Sequence, residues 1–211
     1  GERCMALPVA VPVGKATADE FIGRMQEEMA KLIVGVSSDP DAHYGPVVSA
    51  AHRAKVESYI EMGVKEGAEL LVDGRGLSLQ GNEEGFFIGP SLFDKVTSDM
   101  QSYQEEIFGP VLSVVRSDKF DDAVQMINDH EFGNGVSIFT RDGDAAREFT
   151  NQIQVGMVGV NVPIPVPMAF HSFGGWKNSL LGAIPMPDPE GVQLCYRHNA
   201  TNSRAPTGVR P

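Results

Sequence analysis

The chain has 211 residues, of which 42% are hydrophobic and 21% are charged, and its formal net charge is −11. This length allows one substantial domain or two small ones, and the acidic balance argues against a nucleic acid or an anionic membrane as the partner. Two cysteines, Cys4 and Cys195, are too few for a disulfide framework. We therefore expect a reduced compartment, the bacterial cytoplasm or alternatively the mitochondrial matrix.

The start of the chain predicts an extended segment followed by a helix. Residues 4–13 carry small and β-branched side chains with two prolines, which predicts a short strand. Thr17 and Glu20 form a capping-box pattern, and apolar residues continue from there at helical spacing as far as Ile33. Because a hydrophobic strand follows Gly1 almost at once, we expect the chain to be a fragment of a longer protein.

A second helix is predicted after a turn-rich loop. Ser49 is a favourable N-cap, and Val56, Ile60 and Val64 follow at helical spacing until Gly67 ends the helix.

From residue 69 onward, short apolar runs alternate with helical patterns. The runs "ELLVDG", "GFFIGPSLF" and "PVLSVV" predict strands. The helix "DKFDDAVQMINDH", the strand "GVSIFT", the helix "DGDAAREFTNQI" and the strand "VGMVGVNV" follow. This order predicts an α/β fold with parallel strands and right-handed crossovers. Ligand sites in such sheets lie beyond the carboxyl ends of the strands, which directs attention to Thr140 and Asn161. The polar segment 196–211 predicts an irregular tail.

Cys4 is the first candidate for chemistry. It follows Arg3, and an adjacent guanidinium favours the thiolate, which is the reactive form of cysteine. The alternative is a buried, inert cysteine, and this is the interpretation we give to Cys195.

Two further motifs could contact a ligand. In "YQEEIFGPVL" a glutamate could accept hydrogen bonds from a sugar diol, and Phe108 could lie against a planar ring; an acidic turn with a buried Phe is the alternative. In "HSFGGWKNS" the paired glycines allow close backbone approach, and His171 is either a general base or a polar loop residue. No metal-ligand spacing and no phosphate-binding glycine loop is present in the sequence.

Together these motifs resemble the aldehyde dehydrogenase superfamily. "GERCMA" resembles its active-site cysteine motif, "EEIFGPVLSVV" a motif further along the chain, and "SFGGWKNS" a loop near the C-terminus. Within the superfamily, "RCMA" with "GVNVPIPVPMAFHSFGGWKNS" resembles the methylmalonate-semialdehyde dehydrogenases, the CoA-acylating branch. The resemblance implies the fold of the catalytic domain, a mostly parallel twisted sheet with helices on both faces, over residues 1–195. It also implies that the NAD-binding domain is absent from this chain.

The implied activity is the NAD-dependent oxidation of malonate or methylmalonate semialdehyde to acetyl-CoA or propionyl-CoA through a thioester on Cys4. NAD would be the cofactor and CoA a co-substrate. Two alternatives are a domain without turnover and a hydrolytic aldehyde dehydrogenase of other specificity.

By the same resemblance, Arg3 would hold the substrate carboxylate, and Phe170 and Phe173 would line the aldehyde pocket. Glu106 would hold the nicotinamide ribose with Phe108 beside the nicotinamide, and Asn161 would organise the loop behind the site. The site residues that the resemblance implies are Arg3, Cys4, Glu106, Phe108, Asn161, Phe170 and Phe173. A homo-oligomer is typical of the family, but the usual "KTVT" strand that builds it is missing here.

Overall fold

The chain divides into two units, Gly1–Ala123 and Val124–Pro211, and the computed structural model describes residues 1–167, 174–180 and 199–204. Each unit has its own sheet and is described by itself. Within these three ranges, every helix is too short or too polar to cross a membrane.

A four-stranded sheet forms the core of the first unit. Its strands are β1 (Val9–Ala10), β2 (Glu69–Val72), β3 (Ser91–Asp94) and β4 (Val111–Val114). They lie in the order β1-β4-β3-β2, with β1, β4 and β3 parallel and β2 antiparallel at one edge. Every residue of β3 is buried, which is typical of a strand with neighbours on both sides and cover on both faces.

The first helix, α1 (Lys15–Met29), begins and ends differently from the sequence prediction. Gly14 is the N-cap with no side-chain hydrogen bond, and its carbonyl accepts from the Ala18 N–H at 3.0 Å. Thr17 therefore lies inside the first turn and does not cap the helix, so the predicted capping box is wrong. The apolar spacing also continues past the end of the helix, since Ile33 lies beyond Met29 and is 45% exposed.

The second helix, α2 (Ala50–Glu66), confirms its predicted caps. Ser49 accepts a hydrogen bond from the His52 N–H, and Gly67 has the left-handed φ of 102° that favours glycine at a helix end. Of the three apolar residues noted at helical spacing, Val56 and Ile60 are buried and Val64 is 46% exposed. The buried position is Gly63, where an added Cβ would lie 3.0 Å from the ring of Phe93. A short helix, α3 (Gln101–Gln104), follows β3.

The remaining elements begin with α4 (Phe120–Asp129), which spans the boundary between the units. The others are β5 (Phe132–Gly133), β6 (Gly135–Ile138), α5 (Gly143–Gln152), β7 (Met157–Val160), β8 (Trp176–Lys177) and β9 (Ala200–Ser203). Strands β6, β7 and β9 form a parallel sheet in that order, and β5 pairs antiparallel with β8.

The parallel pairing predicted for "GVSIFT" and "VGMVGVNV" is confirmed by β6 and β7. β4 was expected to continue the same run, but it pairs with β1 and β3 in the other sheet.

The prediction of an irregular tail over 196–211 is wrong at residues 200–203, which form β9. The Ala200 N–H donates to the Gly156 carbonyl at 3.0 Å and the Arg204 N–H to the Val160 carbonyl at 2.8 Å. Polar side chains do not prevent this, because an edge strand is held by its backbone and its outer face meets water.

Candidate active site around Cys4 and the Glu106–Phe108 turn

Cys4 lies in a tight turn ahead of β1. The turn is closed by the Ala6 N–H, which donates to the Arg3 carbonyl at 3.1 Å. The thiol of Cys4 is free and exposed, so the alternative of a buried, inert cysteine does not describe it. Arg3 is also exposed and has no carboxylate partner among the described residues. An exposed thiol and an exposed guanidinium without a carboxylate partner among the described residues are therefore neighbours in sequence in this turn.

The two adjacent glutamates of the second motif have different environments. The Glu105 carboxylate accepts hydrogen bonds from the Tyr59 hydroxyl and from the Gln101 side-chain amide, and this contact raises the pKa of the Tyr59 phenol. Glu106 is exposed, and its carboxylate has no partner in the part of the chain that the structure describes. Glu106 is thus the carboxylate left to accept hydrogen bonds from a ligand.

The aromatic ring of this motif is not in the core. Ile107 is buried at 4% exposure and anchors the turn, whereas Phe108 is half-buried. Phe108 also has a φ of 59°, a left-handed conformation that costs a non-glycine residue about 1–2 kcal/mol. Such a conformation persists only where surrounding contacts fix it.

One of these contacts comes from His52, a residue that the sequence analysis did not single out. Its Nε2 lies 2.7 Å from the Phe108 carbonyl oxygen, and because a carbonyl only accepts, Nε2 carries the proton and donates. The two rings also meet edge to face, with centroids 6.3 Å apart. No local sequence signal could have revealed this contact, because the partners lie on segments far apart in sequence.

The whole turn is held along one face of α2. Four residues of that face each contact a different residue of the turn or of the residues that flank it, Glu105 and Gly109: His52, Lys55, Val56 and Tyr59. Lys55 Nζ donates to the Glu106 carbonyl at 3.2 Å, and a Cβ added to Gly109 would lie 2.6 Å from Val56. Spacings of three, four and seven residues bring side chains to one side of a helix, so α2 acts as a continuous support for the turn.

The sheet brings the two motifs to the same end. Cys4 precedes β1 and the Glu106–Phe108 turn precedes β4, and these strands are parallel neighbours with Val9 opposite Ser113. A Cβ added to Gly1 would lie 1.8 Å from the Gly109 carbonyl oxygen, so the backbones of the two segments are in direct contact. Both motifs lie at the amino ends of their strands. The general expectation that ligand sites lie beyond the carboxyl ends of parallel strands therefore does not apply to them.

Asn161 follows β7 in the second unit and has a local structural role there. It has a φ of 58°, and its Oδ1 accepts from the Thr140 N–H at 2.9 Å. Its Nδ2 donates to the Arg204 carbonyl at 3.3 Å. Asn161 thus joins the carboxyl ends of β6 and β7 to the residue after β9, while a ligand site at these strand ends stays a prediction.

The glycine motif is described from Gly174 onward. Lys177, with a φ of 54°, donates from Nζ to the carbonyls of Ile127, Asn128 and His130 at 3.3, 2.7 and 2.9 Å. These carbonyls lie at the end of α4 and just beyond it, where a cation is favoured.

The predicted site residues Phe170 and Phe173, together with His171 and Cys195, lie outside the described residues. Within the described ranges, no group of three or more His, Cys, Asp or Glu side chains could hold a metal ion.

Comparison with known proteins identifies the family. The sequence profile of the aldehyde dehydrogenase family matches residues 1–194, and the chain belongs to this family.

Similar proteins include a malonate-semialdehyde dehydrogenase of Pseudomonas aeruginosa, which is 55% identical over 98% of this chain and 41% of its own length. Among solved structures, a methylmalonate-semialdehyde dehydrogenase of Oceanimonas doudoroffii is 53% identical with a TM-score of 0.86, over 92% of this chain and 40% of its own. An aldehyde dehydrogenase of Mycobacterium tuberculosis complexed with NAD+ is 35% identical with a TM-score of 0.79, over 87% and 37%. The fold class predicted from the sequence is confirmed, and the chain spans about two fifths of the length of these relatives.

Proposed function

We propose that the protein, at its natural full length, is an NAD-dependent, CoA-acylating dehydrogenase of malonate or methylmalonate semialdehyde. The observation that carries this proposal is the exposed, free thiol of Cys4 beside Arg3, whose guanidinium has no carboxylate partner among the described residues. The names of the similar proteins from Pseudomonas aeruginosa and Oceanimonas doudoroffii support the substrate class.

Arg3 would select the substrate. A semialdehyde acid carries a carboxylate, and a guanidinium can bind it through two parallel, charge-assisted hydrogen bonds. A neutral aldehyde offers no such group. The position of Arg3 next to Cys4 would therefore bring the aldehyde carbon of an acidic substrate to the nucleophile.

Cys4 would be the nucleophile. Its sulfur attacks the aldehyde carbon and forms a thiohemiacetal, and the Cys4 backbone N–H is a candidate donor to the developing oxyanion. Loss of a hydride from that carbon leaves a thioester on Cys4. The thiol of CoA then displaces the Cys4 sulfur, and the substrate carboxylate leaves as carbon dioxide with a proton in its place.

Glu106 and Phe108 fit the nicotinamide half of NAD. An ionised carboxylate only accepts hydrogen bonds. Because Glu106 is exposed without a partner in the described ranges, its carboxylate can accept hydrogen bonds from both hydroxyls of a ribose diol. Phe108 is half-buried and leaves part of its ring for a planar group. When bound, NAD accepts the hydride that the oxidation releases.

The other predicted site residues complete the proposal. Phe170 and Phe173 would line the aldehyde pocket, and Asn161 would fix the start of the loop that leads to them through its bonds to Thr140 and Arg204.

The test is to trap the acyl-enzyme. The protein at its natural full length is incubated with malonate semialdehyde and NAD but without CoA, and the peptide containing Cys4 is analysed by mass spectrometry. We expect a thioester on Cys4, its release as acetyl-CoA when CoA is added, and neither in Cys4→Ser. Cys195→Ser is the matched control and should behave as wild type.

Each alternative gives a different result. Release of the free acid at the same rate with and without CoA would identify a hydrolytic aldehyde dehydrogenase. Absence of both the adduct and NADH formation would identify a domain without turnover, and the proposal would be abandoned.

A further inference from the structure

We propose that His52 is a positioning residue that sets the backbone of the Glu106–Phe108 turn and couples it to the segment carrying Cys4. This inference rests on the proposed function, because the turn is important for activity only if it receives NAD. His52 lies on α2 and its side chain is 14% exposed, so it is set back from the surface where Glu106 and Cys4 are exposed.

The first reason is the geometry of Phe108. Its carbonyl accepts the His52 Nε2–H at 2.7 Å while its own φ is 59°. Rotation about φ of Phe108 toward an ordinary value would turn this carbonyl away from His52 and change the direction of the Phe108 ring relative to Glu106, which lies on the other side of the rotating bond. The hydrogen bond therefore holds the relative direction of the two groups that the proposal assigns to NAD.

The second reason is the connection to the amino-terminal segment. The same Nε2 lies 3.5 Å from Glu2 Oε1, and that oxygen also accepts from the Val48 N–H at 3.3 Å. Glu2 is two residues from Cys4. His52 thus stands between the segment of the nucleophile and the turn, and touches both.

The third reason is that the other contacts of α2 with the turn do not replace this one. Tyr59 holds the side chain of Glu105, and Val56 packs against Gly109. Glu105 and Gly109 lie on either side of the Glu106–Phe108 turn and not within it. Lys55 reaches the Glu106 carbonyl, but Lys55 is exposed. The least exposed polar contact is that of His52 at Phe108.

The experiment compares His52→Leu with His52→Gln in the protein at its natural full length. Gln keeps an N–H donor at about the reach of Nε2, whereas Leu fills similar space without one. We expect His52→Leu to lower kcat/KM for NAD about 10- to 100-fold, as small displacements of a positioned group do. His52→Gln should recover most of this loss. His43→Leu, at an exposed histidine elsewhere in the first unit, should leave the rates unchanged.

A second readout does not depend on activity. Without NAD, hydrogen exchange at the amides of residues 106–109 should be faster in His52→Leu than in wild type, and His52→Gln should return it toward the wild-type rate. Exchange in the sheet should be the same in all three proteins. An inactive wild-type protein would refute the proposed function while this readout still decided the inference. The inference is overturned if His52→Leu matches wild type in both readouts, or if His52→Gln is as impaired as His52→Leu.

Discussion

Asp94 and Arg116 form a two-point ion pair between the ends of β3 and β4. Arg116 Nε and Nη2 donate to the Asp94 carboxylate at 2.9 and 2.8 Å, and Nη1 donates to Asp19 on α1 at 2.7 Å. The Asp94 side chain is 4% exposed and that of Arg116 30%. One guanidinium therefore ties a helix to the sheet that carries both candidate motifs.

Loss of this guanidinium should destabilise the first unit. Arg116→Met leaves the buried Asp94 carboxylate unpaired, and we expect a loss of about 2–3 kcal/mol in the free energy of unfolding, less than for a fully buried pair because Arg116 is partly in water. Urea unfolding measures it. Lys95→Met is the control, since its ion pair with Glu69 is exposed at 65% and 49%. Equal effects of the two substitutions on the free energy of unfolding would contradict this role of Arg116.

The same pair predicts a dependence of stability on pH. Burial raises the pKa of the Asp94 carboxyl, but hydrogen bonds from Arg116 and the Lys95 N–H outweigh burial and hold the pKa below its ordinary value. The stability that this contributes is present above the unfolded pKa of about 4 and is lost as the pH falls through the folded pKa. The free energy of unfolding, taken from unfolding curves, should therefore fall less steeply below about pH 4 in Asp94→Asn than in wild type. If the two free energies of unfolding fell equally with pH, this prediction would be refuted.

Arg3 predicts a specific change in kinetics. In the protein at its natural full length, Arg3→Leu should raise KM for malonate semialdehyde about 10- to 100-fold, the effect of losing a hydrogen bond to a charged group. KM for propanal, which has no carboxylate, should change little. Steady-state kinetics with both aldehydes decide the point. Equal effects on the two substrates would mean that Arg3 serves the Cys4 thiolate and does not hold the substrate carboxylate.

Two helical glycines predict opposite effects of the same substitution. Gly23 in α1 has open space around it, so Gly23→Ala should stabilise the protein by about 0.5–1 kcal/mol through helix propensity. At Gly63 the added Cβ would lie 3.0 Å from Phe93, which is fully buried and has little room to move. Gly63→Ala should therefore destabilise by about 1–2 kcal/mol. Thermal unfolding of both variants tests the pair, and a stabilised Gly63→Ala would show that Phe93 can move.

Lys177 predicts a role in stability for a residue of the glycine motif. Lys177→Met removes the donor to the carbonyls of Ile127, Asn128 and His130 at the end of α4, at an expected cost of about 1–3 kcal/mol. Arg147→Met is the control, because the Arg147 side chain is 76% exposed and its ion pair with Asp144 is long, at 3.8 Å. Urea unfolding should separate the two variants, and an unchanged Lys177→Met would contradict the role.

The elements with strong local patterns were predictable from the sequence. The caps at Ser49 and Gly67 and the parallel pair β6 and β7 depend on residues close together in the chain. The start of α1 was not predictable, because it is set by the backbone of Gly14, whose N–H donates to Ser117 far along the chain. β9 was missed because its polar residues show no apolar period.

The candidate site was predictable only in part, and for a similar reason. Residue types suggested Cys4, Arg3 and one of two adjacent glutamates, and only the family resemblance named Glu106; local sequence alone could not distinguish the engaged Glu105 from the unpaired Glu106. That distinction depends on Tyr59, and the support of Phe108 depends on His52. Both contacts join segments that are distant in sequence and meet only in the fold.

The pairing of β9 with β7 has a practical consequence for shortened forms of the protein. Ending the chain at residue 195 would remove residues 200–203 and uncover the backbone edge of β7, whose Met157 and Val158 are at most 2% exposed. An uncovered apolar strand edge recruits strands from other molecules. A shortened protein that precipitates during purification would thus show the effect of losing β9, and retaining the chain through Arg204 is the remedy.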